Sequence, residues 1–229
     1  MSREALFDLS AEYEEMLNKG IGLSGENREF FIAGRLLGLK ELLNPQFEPD
    51  RILDFGCGIG TTSKRLSEMF PHAEVLGVDT SESALSYATE QYGSLKIRFR
   101  LLHELPLESG FGLCYANGVF HHIEPQQRPA VVADIHRAMR SGGMFALFEN
   151  NPWNPGTRMV MSRIPFDRDA ITLTPPETVE LVQEAGFKTV IGPKSFFYFP
   201  RQLAFLRPLE AALKHVPLGA QYVVLSTKA

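Results

Sequence analysis

The stretch Ile52-Leu-Asp-Phe-Gly-Cys-Gly-Ile-Gly60 sets glycines at 56, 58 and 60 directly after an apolar run, with a carboxylate, Asp54, inside it. Glycine lets the backbone take positive φ and lets a ligand lie against the main chain. A helix starting at such a turn offers free N–H groups. A turn holding a pyrophosphate would be ill served by Asp54, whereas a cationic ligand is suited to it. In Val75-Leu-Gly-Val-Asp-Thr-Ser81 a second carboxylate, Asp79, ends the next apolar run, 25 residues after Asp54. A carboxylate at that strand tip can hold a ribose diol. A third stretch, YANGVFHHIEP at 115–125, puts His121 beside His122. Neighbouring side chains on an extended chain point to opposite faces, so one ring is expected at a site and the other turned away. A histidine titrates close to neutral pH and can accept a proton there.

These stretches need a scaffold, and the pattern around them predicts one. Strands are expected at Arg51–Phe55, Glu74–Val78, Ile97–Leu101, Gly112–Ala116 and Met144–Phe148, alternating with helices at Thr61–Phe70, Glu82–Gln91 and Gln127–Arg140. Such alternation implies a parallel sheet with helices on both faces. Two helices, 4–19 and 25–43, precede it, the second stopped by Asn44-Pro45. After Asn150 the rhythm breaks into a stretch rich in Asn, Pro and Arg, 150–176, expected to run over the surface. Helix 176–185 and strands Phe187–Ile191 and Tyr222–Ser226 follow. The whole is expected as one domain over 1–229: a helical cover at 1–45, a ligand-binding core at 46–150 and an elaboration at 151–229.

Bulk properties narrow the function. A 229-residue chain with 44% hydrophobic and 22% charged residues is that of a globular protein. Its net charge of −4 offers no electrostatic case for nucleic acid. The charge is uneven: residues 1–50 carry five basic and ten acidic side chains, residues 152–229 nine and six. Two cysteines make neither a disulfide framework nor a four-ligand zinc site, and no metal site is expected at histidines that point apart. The acidic N-terminus is not read as a signal peptide, and no run approaches the roughly 20 apolar residues of a membrane span. A cytoplasmic protein is expected.

LDFGCGIG at 53–60, GVDTS at 77–81, the apolar strand ending in NGVFHHI and RAMRSGGMFALFE at 137–149 together resemble the class I S-adenosylmethionine-dependent methyltransferases. The resemblance covers about residues 28–227. It implies a Rossmann-like, seven-stranded, mostly parallel sheet with helices on both faces and a terminal antiparallel hairpin. It implies S-adenosylmethionine as cofactor, with Gly56, Cys57, Gly58 and Gly60 along its amino-acid portion and Asp54 near its ammonium or orienting the loop. Asp79 would grip the ribose, with Thr80 and Ser81 beside the adenosine. Asn117 and Gly118 would contact the methionine moiety, and Arg35 the carboxylate. The acid that many relatives carry after the third strand is absent near Leu101 and Leu102, so backbone groups of Leu102 or His103 are expected to serve the adenine.

The resemblance says little about the acceptor, expected to be a small molecule, with lipid- and sugar-linked ones among the candidates. By the family's register His122, preceding Ile123, is the favoured pocket residue and candidate base, with His121 second. Glu149, Asn150 and Asn151 end the fifth strand and are expected to offer hydrogen bonds to the acceptor. Trp153 is expected either to stack on it or to anchor its loop in the core. Tyr13 is expected to close over the site. The aromatic and basic run from Ser195 is expected to pack as a lid helix, and its composition also suits peripheral membrane contact. The competing reading is a non-catalytic S-adenosylmethionine-binding protein on the same fold.

Overall fold

The computed structural model describes residues 20–108 and 110–229. The expected helix 4–19, and Tyr13 within it, lie outside these. Helix α1 (Arg28–Leu42) starts at Asn27, whose side chain accepts a hydrogen bond from the Phe30 N–H at 3.0 Å. It buries Ile32, Arg35, Leu36 and Leu39. The next elements are β1 (Arg51–Phe55), α2 (Thr61–Met69), β2 (Glu74–Asp79), α3 (Glu82–Tyr92), β3 (Ile97–Leu101) and β4 (Phe111–Asn117). Then come α4 (Arg128–Ala138), β5 (Met139–Asn150), α5 (Pro155–Met161), α6 (Pro175–Glu184), β6 (Phe187–Phe196), α7 (Glu210–Leu213) and β7 (Gln221–Lys228).

The seven strands form one sheet in the order β3-β2-β1-β4-β5-β7-β6. The first five run parallel, and β7 lies antiparallel between β5 and β6. Residues of β1 serve both faces. Leu53 and Phe55 join Leu76, Val78 and Phe145 in one core, while Ile52 joins Val75, Leu113 and Phe148 in the other. Both faces are covered, which is why these strands read as unbroken apolar runs. Each fully buried Leu or Phe contributes roughly 1.5–3 kcal/mol. The reversal from β1 to β4 opens a crevice at the carboxyl ends of the strands, where open α/β sheets bind ligands.

Three expectations change. Helix α4 stops at Ala138, and Met139 instead pairs with Phe111 of β4. Strand pairing there overrides the local helical pattern. The 150–176 stretch is not a surface excursion: it holds α5 and buries Met161, Ile164, Phe166, Asp167 and Leu173. The run from Ser195 is not a lid helix. Strand β6 carries it through Phe196, and a 3-10 stretch, Arg201–Leu209, follows. Phe196 and Tyr198 close on α1 at two glycines, since a Cβ at Gly38 would lie 2.2 Å from Phe196 and one at Gly34 2.9 Å from Tyr198.

Gly60 begins α2 with φ +79°, and a Cβ there would lie 2.7 Å from Phe99 and 2.8 Å from Ala88. Its requirement is packing of α2 against α3 and β3. Gly60→Ala is expected to lower the unfolding free energy by about 1–3 kcal/mol, read by urea denaturation. An unchanged midpoint would mean that this junction is looser than it looks.

Candidate active site

At the carboxyl edge of the sheet lies a cavity of about 610 Å³. The β1–α2 turn forms one wall. Gly56 and Gly58 take φ of +72° and +53°. A Cβ on Gly56 would strike Val119 at 2.3 Å, whereas one on Gly58 would meet nothing within 4 Å. Gly56 is therefore glycine for packing, and Gly58 bares its backbone to the cavity. The Gly58 N–H donates to Asp79 Oδ2 at 2.7 Å, and the Ser81 N–H to Asp79 Oδ1 at 3.1 Å. Asp79 thus props the glycine turn. Ser81 is buried and caps α3, accepting from the Ala84 N–H at 3.2 Å.

Asp54 lines the cavity and accepts a hydrogen bond from Ser63 Oγ at 2.6 Å, tying the turn to α2. Burial pushes its carboxyl up to about 7, against the pull of Ser63 and of the Arg28 charge. Cys57 also lines the cavity, and burial raises its thiol pKa. Both cysteines are free. Arg35 reaches in from α1, donating through Nε to the Tyr115 hydroxyl at 3.3 Å and through Nη1 to Gln221 Oε1 at 3.1 Å. Gln221 in turn donates to Asn150 Oδ1 at 3.0 Å and Asn117 Oδ1 at 3.4 Å. A polar floor therefore links α1, β4, β5 and β7. Thr80, Leu102 and His103 sit apart from this cavity, around a second of about 380 Å³ beside Phe55.

The histidines form the opposite wall. They are not on an extended chain: Phe120–His122 is a 3-10 turn, and both rings face the cavity, 4.2 Å apart. His121 Nε2 and His122 Nε2 lie 3.5 Å and 3.2 Å from Asp167 Oδ1. The expectation that one ring turns away is corrected: the donor atoms of His121, His122 and Asp167 lie within 4.8 Å of one another. Glu149 holds the turn from beneath. Its Oε1 accepts from the Phe120 N–H at 2.8 Å, and its Oε2 lies 2.6 Å from His121 Nδ1. Burial alone would depress the His121 pKa, but Glu149 and Asp167 raise it to about 10. Burial holds His122 below its ordinary value, and the two histidines bring Asp167 down to about 2 despite burial.

The expected acceptor contacts are corrected. Glu149 is fully buried under the histidine turn. Asn151 is buried and donates to the Pro217 and Gly219 carbonyls while accepting from the Trp153 N–H. Trp153 is exposed, neither lining the cavity nor anchored in the core. Side chains alternate along a strand, so Glu149 and Asn151 share one face and Asn150 takes the other, which is the cavity. Asp167, Gln221 and Tyr198 escaped the sequence reading. The buried Tyr198 hydroxyl has no hydrogen-bond partner among the described residues and borders the cavity.

Residues 52–143 match the methyltransferase-domain family. The chain is similar to carboxy-S-adenosyl-L-methionine synthase of Nautilia profundicola, 24% identical over 80% of this chain and 86% of that one. It is also similar to trans-aconitate 2-methyltransferase of Deinococcus radiodurans, 30% identical over 47% of this chain and 40% of that one. It thus spans less than half the length of the latter. An S-adenosylmethionine-dependent methyltransferase structure from Mesorhizobium loti superposes with a TM-score of 0.63 at 19% identity, covering 85% of this chain and 98% of that one. The matched core, the 3-2-1-4-5-7-6 sheet and a glycine turn open to a cavity beside an acid agree with one another: residues 52–143 match a methyltransferase domain, and the chain has the fold of S-adenosylmethionine-dependent methyltransferases.

Proposed function

We propose that the chain, as one domain, transfers a methyl group to a small-molecule acceptor held between the glycine turn and the histidine wall. The observation that carries this is that Gly58 and Asp54 on one side, and His121, His122 and Asp167 on the other, border a single cavity. Bound S-adenosylmethionine supplies a methyl group already activated on its sulfonium. The residues that would hold it are Asp54, Gly56, Cys57, Gly58, Asn117 and Gly118, with Arg35 for its carboxylate. Asp79 supports the turn and reaches toward the ribose, and Thr80, Leu102 and His103 border the second cavity on the adenine side. By their names, one of the relatives above makes carboxy-S-adenosyl-L-methionine and the other methylates trans-aconitate, both small molecules, which supports a small-molecule acceptor here. The free buried thiols suit a reducing, cytoplasmic setting.

The protein's remaining task is to align the nucleophile and, for a hydroxyl, to take its proton. His122 stays neutral near pH 7 because burial depresses its pKa. The neutral ring takes the acceptor's proton, and Asp167, 3.2 Å from its Nε2, stabilises the imidazolium that forms. His121, fixed between Glu149 and Asp167, positions that pair. A second reading rests on the same three atoms: two imidazole nitrogens and one carboxylate oxygen, with His121 Nδ1 oriented by Glu149, are a set that binds divalent ions.

His122→Ala is expected to leave S-adenosylmethionine affinity unchanged and to lower kcat about 10²–10⁴-fold with a hydroxyl acceptor. The acid limb of the wild-type pH–rate profile, set by a depressed histidine, disappears with it. Unchanged turnover would reduce His122 to packing, and activity lost to a chelator and restored by one divalent ion would favour the second reading. Asp79→Ala is expected to weaken cofactor binding by roughly 1–3 kcal/mol. A bound cation lowers the Asp54 pKa from about 7, so cofactor binding releases a proton and affinity climbs as pH is raised toward about 7. Calorimetry in buffers of different ionisation enthalpy reads that release. Glu149→Ala removes the nearer of the two acids that hold the His121 charge and is expected to cost about 3–5 kcal/mol of stability. The wild-type contribution of His121, whose pKa is raised on folding, is complete below its unfolded pKa and fades as pH rises through about 10.

A further inference from the structure

The segments that frame the cavity mouth carry an outer surface that methyl transfer does not use. Met159 of α5 lines the cavity and is 48% exposed, which marks it as part of the mouth. Trp153, before α5, and Leu218, before β7, are also exposed. Hydrogen bonds hold these loops together: Asn154 Nδ2 donates to the Leu218 carbonyl at 2.7 Å, and Thr157 Oγ1 to the Ala220 carbonyl at 2.8 Å. A third lip follows from Phe197–Pro200, which line the cavity, into the 3-10 stretch Arg201–Leu209. There Leu203, Phe205 and Leu209 are exposed, Phe205 to 74%. Singly scattered surface hydrophobics need no explanation, but six on three segments around one opening do.

The same segments are basic. Residues 152–169 and 194–218 carry seven Lys and Arg against three acids, in a chain of net charge −4. One of those acids, Asp167, is turned inward onto the histidines, and another, Glu210, is partly buried and accepts the Phe199 N–H. Arg158, Arg201 and Lys214 are exposed. Exposed apolar residues and cations on the same segments fit a membrane interface: the apolar side chains enter the boundary between headgroups and acyl chains, and the cations meet anionic headgroups. A peptide partner is better served by one continuous groove or strand edge than by three separated tips.

We propose that this rim docks on an anionic lipid surface and that the acceptor is an amphiphile entering the cavity head group first. The acceptor half rests on the methyltransferase reading, and the docking half on the rim alone. No helix among the described residues is long and apolar enough to cross a membrane.

The test is flotation of the full chain with phosphatidylcholine vesicles made with and without phosphatidylglycerol. Binding to the anionic vesicles, weakening as salt is raised, is expected. Lys214→Ala should weaken it about fivefold, and Phe205→Ser should weaken it further, with thermal melting and S-adenosylmethionine affinity unchanged. Absence of binding to either vesicle, or binding indifferent to both substitutions, overturns the docking and leaves a protein as the occupant of the rim. Absence of S-adenosylmethionine binding in the same preparation would instead overturn the methyltransferase reading, whatever the vesicles show.

Discussion

The buried carboxylate of Glu149 governs this site. It sits at the end of β5, fully enclosed, and cannot remain charged there without partners. It finds them in the Phe120 N–H and His121 Nδ1, 29 and 28 residues earlier in the chain. That pairing folds the end of β4 into a 3-10 turn and turns both imidazoles toward the cavity. Arg128 reinforces it from α4, donating through Nε to the Phe120 and Ile123 carbonyls at 3.0 Å. The far side of the turn is fastened as well: the Ile171 N–H donates to the His121 carbonyl at 3.0 Å, while Asp167 meets both rings. One buried acid therefore ties together the histidine wall on which the 155–171 segment rests.

The opposite wall works by the same logic with different groups. Asp79 secures the glycine turn through backbone N–H groups, and Asp54 secures it through Ser63. Both carboxylates were first legible as ligand contacts, and in the structure both hold the loop. The two roles are compatible, because a carboxylate has lone pairs to spare after one hydrogen bond per oxygen. Preorganisation of this kind lets a ligand meet a loop that is already in place.

The scaffold could be read from the chain because its signals are local. Helix α1 has Asn27 at its start and Asn44-Pro45 past its end, and the buried parallel strands are apolar runs bounded by turns. The glycine turn was equally plain, since only its sequence is needed to see it. The acceptor side was not, because its geometry is set by contacts distant in sequence. Nothing near His121 reports that Glu149 will bend its backbone. The pleat at the end of β5 separates Asn150 from Glu149 and Asn151, and choosing between the two faces requires the register with β7, where Asn150 lies opposite Gln221. Asp167 sits in a stretch whose Asn and Pro content imitates a surface loop, while its apolar residues, Ile164 and Phe166, are what bury it.

Gln221 opens the strand that comes latest among the seven, yet that strand lies inside the sheet, between β5 and β6. The amide of Gln221 ties Arg35 to Asn117 and Asn150, so the cavity floor has no third side until that strand is seated. A chain emerging from the ribosome holds the residues of its glycine turn and histidine turn before the strand that completes the floor is made. The half-made sheet meanwhile exposes the open edge of β5 to pairing with other chains. The cavity floor is therefore completed late, and until then the nascent chain carries an edge that needs protection.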